Sequence, residues 1–181
     1  MTGIITRISG PVIEAQNMSK TKMYNLVRVG KEGLLGEIIQ LKEESAVIQV
    51  YEDTSGLAPG EPVTDTNKPL SITLGPGLIG TIYDGIGRPL KALAEQSGDY
   101  ISRGITTTSL DTTKKYDFKP TVKKGEDIKE GTVLGTVKET PSITHKVLLP
   151  EGMKGTIKTI TATKATVNDT IATIITKDNK E

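Results

Sequence analysis

The chain has 181 residues, 23 of them basic and 22 acidic, for a formal charge of +1. That length suits one medium domain or two small ones with a genuine core, and the balanced charge argues against a nucleic-acid-binding arm or a polybasic membrane anchor. With no cysteine and a single histidine, His145, the sequence offers no disulfide framework, thiolate metal site, catalytic thiol or His-rich metal site. No run approaches the roughly 20 apolar residues of a membrane-spanning helix. Met1-Thr2-Gly3 does not open a basic-then-apolar leader, so no export signal is expected.

Thr (26), Ile (20) and Val (11) far outnumber Ala (8), and 19 Gly with 9 Pro supply turns. β-branched side chains suit a pleated sheet and lose rotamer freedom in helices, so the chain is expected to be mainly β. Ile4, Ile5 and Ile8 open a first strand that stops at Gly10-Pro11, and Val12, Ile13 and Ala15 form a second. Residues 17–22 are polar and loop-like, and alternation returns over 24–29. Residues 35–41 and 46–51 read as two further strands joined by Lys42-Glu43-Glu44-Ser45. Val63 and then residues 70–74 close the set. Six short strands with frequent Gly and Pro turns predict a small closed barrel over residues 1–74, since closure leaves no exposed edge.

Residues 75–109 read as a connector with short helices. Leu78, Ile79, Ile82 and Tyr83 have helical spacing, and a second helix is expected from Pro89 through Leu90, Leu93 and Ala94, ended by Gly98. Residues 97–117 are polar, Thr-rich and aperiodic. From 110 to 181 the pattern is again β: Val122, Ile128, Val133, Leu134 and Val137 mark strands broken by Gly125, Gly131 and Gly135. Residues 146–149 resume, Pro150-Glu151-Gly152 turns, residues 155–160 alternate, and Ile171, Ile174 and Ile175 end the series.

Each chemistry-bearing motif has a structural reading beside the functional one. Gly75-Pro76-Gly77-Leu78-Ile79-Gly80 is a literal G-x-G-x-x-G, with Glu95 and Asp99 near the spacing of a ribose-binding acid. The surroundings do not alternate βαβ and Pro76 removes one amide donor, so a structural turn is preferred. The phosphate loop G-x-x-x-x-G-K-[ST] is absent, and with it the usual cradle for a triphosphate. The carboxylate pairs Glu43-Glu44, Glu52-Asp53 and Glu126-Asp127 adjoin turn residues and are expected to be solvated. His145 is expected to pack at an edge, and the sequons at Asn17 and Asn168 carry no weight without an export signal. The glycine rhythm of residues 125–135 with Leu149-Pro150 and Gly155-Thr156-Ile157 resembles a biotinyl or lipoyl carrier domain. Residues 139–146 hold neither Met-Lys-Met nor Asp-Lys-Ala, and Met153-Lys154 falls beyond the Pro150 turn. That likeness supports a barrel-sandwich architecture and leaves a carrier lysine, Lys146 or Lys154, as an alternative.

Three stretches together are similar to one family. They are Ile8-Ser9-Gly10-Pro11-Val12 with Glu14-Ala15; Gly36-Glu37-Ile38-Ile39 with residues 48–57 and Gly60-Glu61-Pro62-Val63; and Pro69-Leu70-Ser71 with residues 74–78 and Asp84-Gly85-Ile86-Gly87-Arg88-Pro89-Leu90. This order resembles the start of the catalytic A subunit of archaeal/vacuolar-type rotary ATPases. The likeness continues through Arg103-Gly104, Leu110-Asp111, residues 135–140, His145 and Leu149-Pro150. The final segment resembles the inserted β-rich "bulge" that distinguishes this protein family from its barrel-bearing relatives.

The resemblance implies a parent that couples ATP hydrolysis or synthesis to H⁺ or Na⁺ movement, with Mg-ATP bound beyond the residues present here. For this chain it implies a structural and assembly role, with no catalytic, cofactor-binding or metal-binding residue and no ATP binding alone. The implied partners are B subunits through the barrel and stator subunits through the bulge, with no nucleic acid and no direct membrane insertion. The implied location is cytoplasmic, in the soluble head of the ATPase. Leu78, Ile79, Ile82, Leu90 and Leu93 would then face a further domain. An independent β-barrel binding module is the remaining alternative, disfavoured by one Phe and five Tyr.

Overall fold

The computed structural model describes residues 2–176, so Met1 and residues 177–181, the outer ends of the two expected β segments, lie outside the described residues. The chain divides into two compact units: the described part of Met1–Ile72 with Ile82–Thr107, and Thr73–Thr81 with the described part of Thr108–Glu181. Among the described residues the architecture is mainly β, with one short helix.

The first unit is a closed antiparallel barrel. Its strands are β1 (Thr2–Ser9), β2 (Val12–Gln16), β3 (Asn25–Val29), β4 (Leu34–Leu41), β5 (Ser45–Val50) and β6 (Pro62–Pro69). They pair in the order β1-β2-β5-β4-β3-β6, and β6 returns to β1 through Gly3 opposite Val63. Alternation places Ile5, Ile13, Val27, Val29, Ile38 and Ile48 inside, where solvent hardly reaches them. The register slips at Ile5/Arg7, Ile38/Gln40 and Asn25/Val27 bend the strands as closure requires.

The sixth strand differs from expectation. It runs over Pro62–Pro69, and residues 70–74 form no strand, with Leu74 largely exposed. The inward positions of β6 are Val63 and Asp65, so a buried carboxylate interrupts the apolar period that would mark the strand. Asp65 accepts hydrogen bonds from Thr21 Oγ1, Asn25 Nδ2 (3.0 and 3.1 Å) and the backbone N–H of Asn67 (2.7 Å). Those donors replace the water that Asp65 loses, which is what makes its burial tolerable.

Of the two expected helices, the second forms. α1 (Leu90–Ser97) follows Pro89 and ends at Gly98, whose φ of 70° and N–H bond to the Ala94 carbonyl close it. Eight residues are too few to stand alone in water; packing of buried Leu93 supports the helix. Residues 78–83 are not helical. Gly77 and Gly80 adopt φ of 106° and 87°, the Thr81 N–H bonds to the Leu78 carbonyl in a turn, and Tyr83 bridges to Pro89.

The second unit holds two antiparallel sheets, one ordered β10-β9-β7-β12 and one β13-β11-β8. Their strands are β7 (Tyr116–Pro120), β8 (Asp127–Lys129), β9 (Val133–Lys138), β10 (Thr144–Leu148), β11 (Lys154–Ile160), β12 (Thr163–Ala165) and β13 (Ala172–Thr176). Gly135, read as a strand breaker, lies inside β9; the Phe118 ring occupies the space a Cβ would need. Val122, Ile128, Leu134, Leu149 and Ile157 form one core, and Tyr116, Phe118 and Val137 a second.

Candidate functional site

The glycine-rich loop is the feature whose sequence most suggests ligand chemistry. In the second unit it packs on its own neighbours. A Cβ at Gly75 would meet Leu110 Cδ1 at 2.7 Å, and one at Gly77 would meet the Tyr116 hydroxyl at 2.6 Å. Gly77 also needs its left-handed φ of 106°, while Gly80 faces open space. Glycines that would admit a pyrophosphate in a dinucleotide site here admit Leu110 and Tyr116 instead.

The loop amides are occupied as well. Glu139, in the turn between β9 and β10, accepts through Oε1 from the N–H groups of Gly77 (2.7 Å) and Ile79 (3.2 Å). Its side chain is only 3% exposed, and its Oε2 lies 3.8 Å from His145 Nδ1. His145 sits in β10 opposite Val137, half-buried at the edge of its sheet as the sequence suggested. Nothing in the local pattern of Glu139-Thr140-Pro141-Ser142 marks Glu139 as the loop's partner.

A second cluster lies in the first unit. Arg88 is buried and donates through Nε to Asp84 Oδ2 (2.7 Å) and through Nη1 to the Ile105 carbonyl (3.3 Å). Asp84 Oδ1 accepts from the Ile86 and Arg88 N–H groups. Burial pushes the Asp84 carboxyl up, but the Arg88 backbone and side-chain hydrogen bonds, the Ile86 N–H and the Arg88 charge together hold it below the usual range. Glu52 Oε1 lies 3.9 Å from Arg88 Nη1, and its other oxygen accepts the Gly104 N–H at 2.7 Å. Arg103 adds contacts to Glu32 and to the Ser55 carbonyl, and Arg28 donates to Thr106 Oγ1 at 3.0 Å. The polar stretch 103–106 is therefore pinned to the barrel, although it has no regular structure.

Glu52 corrects the expectation of solvated carboxylate pairs: its side chain is 11% exposed and faces a guanidinium. The other pairs fit that expectation. Glu43 and Glu44 are exposed beside β5, Glu126 accepts the Lys123 N–H, and Asp127 accepts from Thr156 Oγ1. Asp53 is held low by the Ser55 N–H and hydroxyl, an ordinary turn contact.

The candidate carrier lysines are not at a hairpin tip between strands β9 and β10. Lys146 lies within β10 opposite Thr136, and Lys154 begins β11 opposite Lys129. Glu95 and Asp99 are exposed in the first unit, whereas the glycine-rich loop belongs to the second. Among the described residues no group of three or more His, Asp or Glu side chains is arranged to hold a metal ion. No helix among them is long and apolar enough to cross a membrane. Of the apolar residues read as facing a further domain, Ile79, Ile82 and Leu90 are exposed, Leu78 is half-buried and Leu93 is buried.

Two family models match in chain order. Residues 5–67 match the β-barrel domain of the ATP synthase alpha/beta family, and residues 107–181 match the alpha/beta subunit barrel-sandwich domain. The chain is 48% identical over 177 residues to a V-type ATP synthase alpha chain of Clostridium botulinum, covering 97% of this chain and 30% of that one. It is 50% identical over 175 residues to the A subunit of an A-type ATP synthase of Thermoplasma volcanium, covering 97% and 23%. The A subunit of a further A-type ATP synthase, from Methanospirillum hungatei, is 49% identical over 180 residues, covering 99% and 31%. The chain thus spans under a third of the length of these curated relatives.

Proposed function

We infer that this chain, which belongs to the ATP synthase alpha/beta family as the N-terminal barrel and barrel-sandwich region of a V/A-type A subunit, serves assembly and not catalysis. The barrel joins neighbouring barrels, those of B subunits, into the ring that holds the ATPase head together. The barrel-sandwich unit is the bulge and offers a surface to stator subunits. The whole protein couples ATP hydrolysis or synthesis to H⁺ or Na⁺ transport, in a cytoplasmic head at the membrane surface. The exposed residues Ile82 and Leu90 supply contacts to the nucleotide-binding part of the whole protein.

The observation that carries this reading is the match to V/A-type alpha chains and A subunits along nearly the entire chain at about half identity. The site geometry agrees with it. The glycine-rich loop, the sequence's best candidate for holding phosphates, already has Glu139 on its amides, and a second anion there would meet a buried negative charge. Titration calorimetry of the 181-residue chain with ATP and Mg²⁺ tests the non-catalytic role. No saturable heat is expected up to millimolar nucleotide, and micromolar binding with phosphate release would overturn it.

A further inference from the structure

We propose that residues 75–80 form a cradle that recognises a carboxylate, that its resident ligand is the chain's own Glu139, and that this contact is a latch holding the strap Thr73–Thr81 in the barrel-sandwich unit. The proposal does not depend on the assembly role above.

Two amide donors converge on a single oxygen, Glu139 Oε1, at 2.7 and 3.2 Å. That is how a loop grips an anion: adjacent N–H dipoles point at one atom and need no cation. The loop is built to hold this aim. Pro76 stiffens the approach, Gly77 supplies the left-handed φ, and Thr81 Oγ1 donates to the Gly77 carbonyl at 2.9 Å. The Tyr116 hydroxyl stands where a Gly77 side chain would begin, so the loop closes only with glycine there.

The ligand side is equally organised. The Glu139 N–H bonds to the Ile143 carbonyl at 3.0 Å, which closes the β9–β10 turn and fixes where the side chain begins. The carboxylate is shielded from water, and its other oxygen faces the His145 imidazole. Isolated anions are not buried without such replacement for their hydration. The strap has no strand of its own among the described residues, and the Glu139 carboxylate gives it a polar attachment at two of its amides. Gly75 against Leu110 supplies the apolar one.

Amide hydrogen exchange followed by NMR on the whole chain provides the test. In the unaltered chain the Gly77 and Ile79 amides are expected to be protected. In Glu139→Ala both should lose at least ten-fold in protection, while the Thr136 and Val137 amides of β9 keep theirs. Sodium acetate, the probe for a free carboxylate, should then restore Gly77 and Ile79 saturably, and sodium chloride at matched ionic strength should not. Unchanged protection in Glu139→Ala, or equal rescue by chloride, would overturn the proposal. Should Glu139→Ala fail to fold, Glu139→Gln decides. It keeps the shape and one acceptor oxygen, so a roughly three-fold loss confined to Gly77 and Ile79 supports the latch. No loss, or loss spread through β9 and β10, overturns it.

Discussion

The barrel and the barrel-sandwich draw on the same β-branched composition and bury it differently. In the barrel β6 closes on β1, so each of the six strands has two neighbours and one continuous core fills the inside. In the other unit the sheets are open among the described residues. Strands β10 and β12 end one, β13 and β8 end the other, and the apolar residues divide between two smaller clusters. Ile5, Ile13 and Ile48 are effectively sealed from solvent, whereas Val122, Ile128 and Leu134 each keep a little exposure. Closure removes edges and lets about six strands enclose a dry interior. Open sheets leave rims, and the strap at 73–81 packs in this unit beside Leu110 and Tyr116.

Both units also shield carboxylates from water, and Asp65 and Glu139 repeat the contrast. Asp65 is satisfied by side chains and backbone of the barrel itself, at a fixed register position opposite Val27 of β3. Glu139 is satisfied by a loop that has no strand to hold it. One carboxylate is part of the wall, and the other is a fastening.

Core truncation gives the sharpest way to break the comparison. Ile48→Ala should cost about 4–5 kcal/mol and Ile157→Ala about 2–3 kcal/mol, because a closed barrel relaxes less around a cavity than an open pair of sheets. Urea unfolding followed by residue-resolved NMR should show each loss confined to its own unit, and equal costs would contradict the closure argument. Next in size is Asp65→Ala. It leaves Thr21, Asn25 and the Asn67 N–H without their acceptor, and should destabilise the barrel by about 3 kcal/mol in the same assay.

The smallest effect concerns pH. The Asp84 carboxyl is depressed in the folded chain, so its stabilisation is fully present above the ordinary Asp value of about 3.9 and is lost as pH falls through the lower folded value. Asp84→Asn should therefore lower the stability at pH 6, and this difference should shrink towards pH 2. A difference that persists at pH 2 would show that the charge is not what matters.

Much of the fold is legible in the order of the residues. Ile13 with Ala15 and Ile48 with Val50 alternate as strands must, Gly10-Pro11 and Pro150-Glu151-Gly152 turn the chain, and Pro89 and Gly98 bracket α1. The ordered motifs also point to the family that the barrel and barrel-sandwich matches support. Gly75 to Gly80 can be read as a turn, but not as a turn with an occupant.

Local preference reaches only a few residues along a chain, through backbone sterics and the period of apolar side chains, and that reach suffices for strands, turns and one helix. Polar burial follows other rules. Asp65 hides β6 because its partner Thr21 is 44 positions away, Glu52 looks solvated until Arg88 arrives, and Glu139 meets Gly77 across 62 positions. A charged group can leave water only where chain closure has assembled its donors, so tertiary structure alone decided which carboxylates this protein keeps inside.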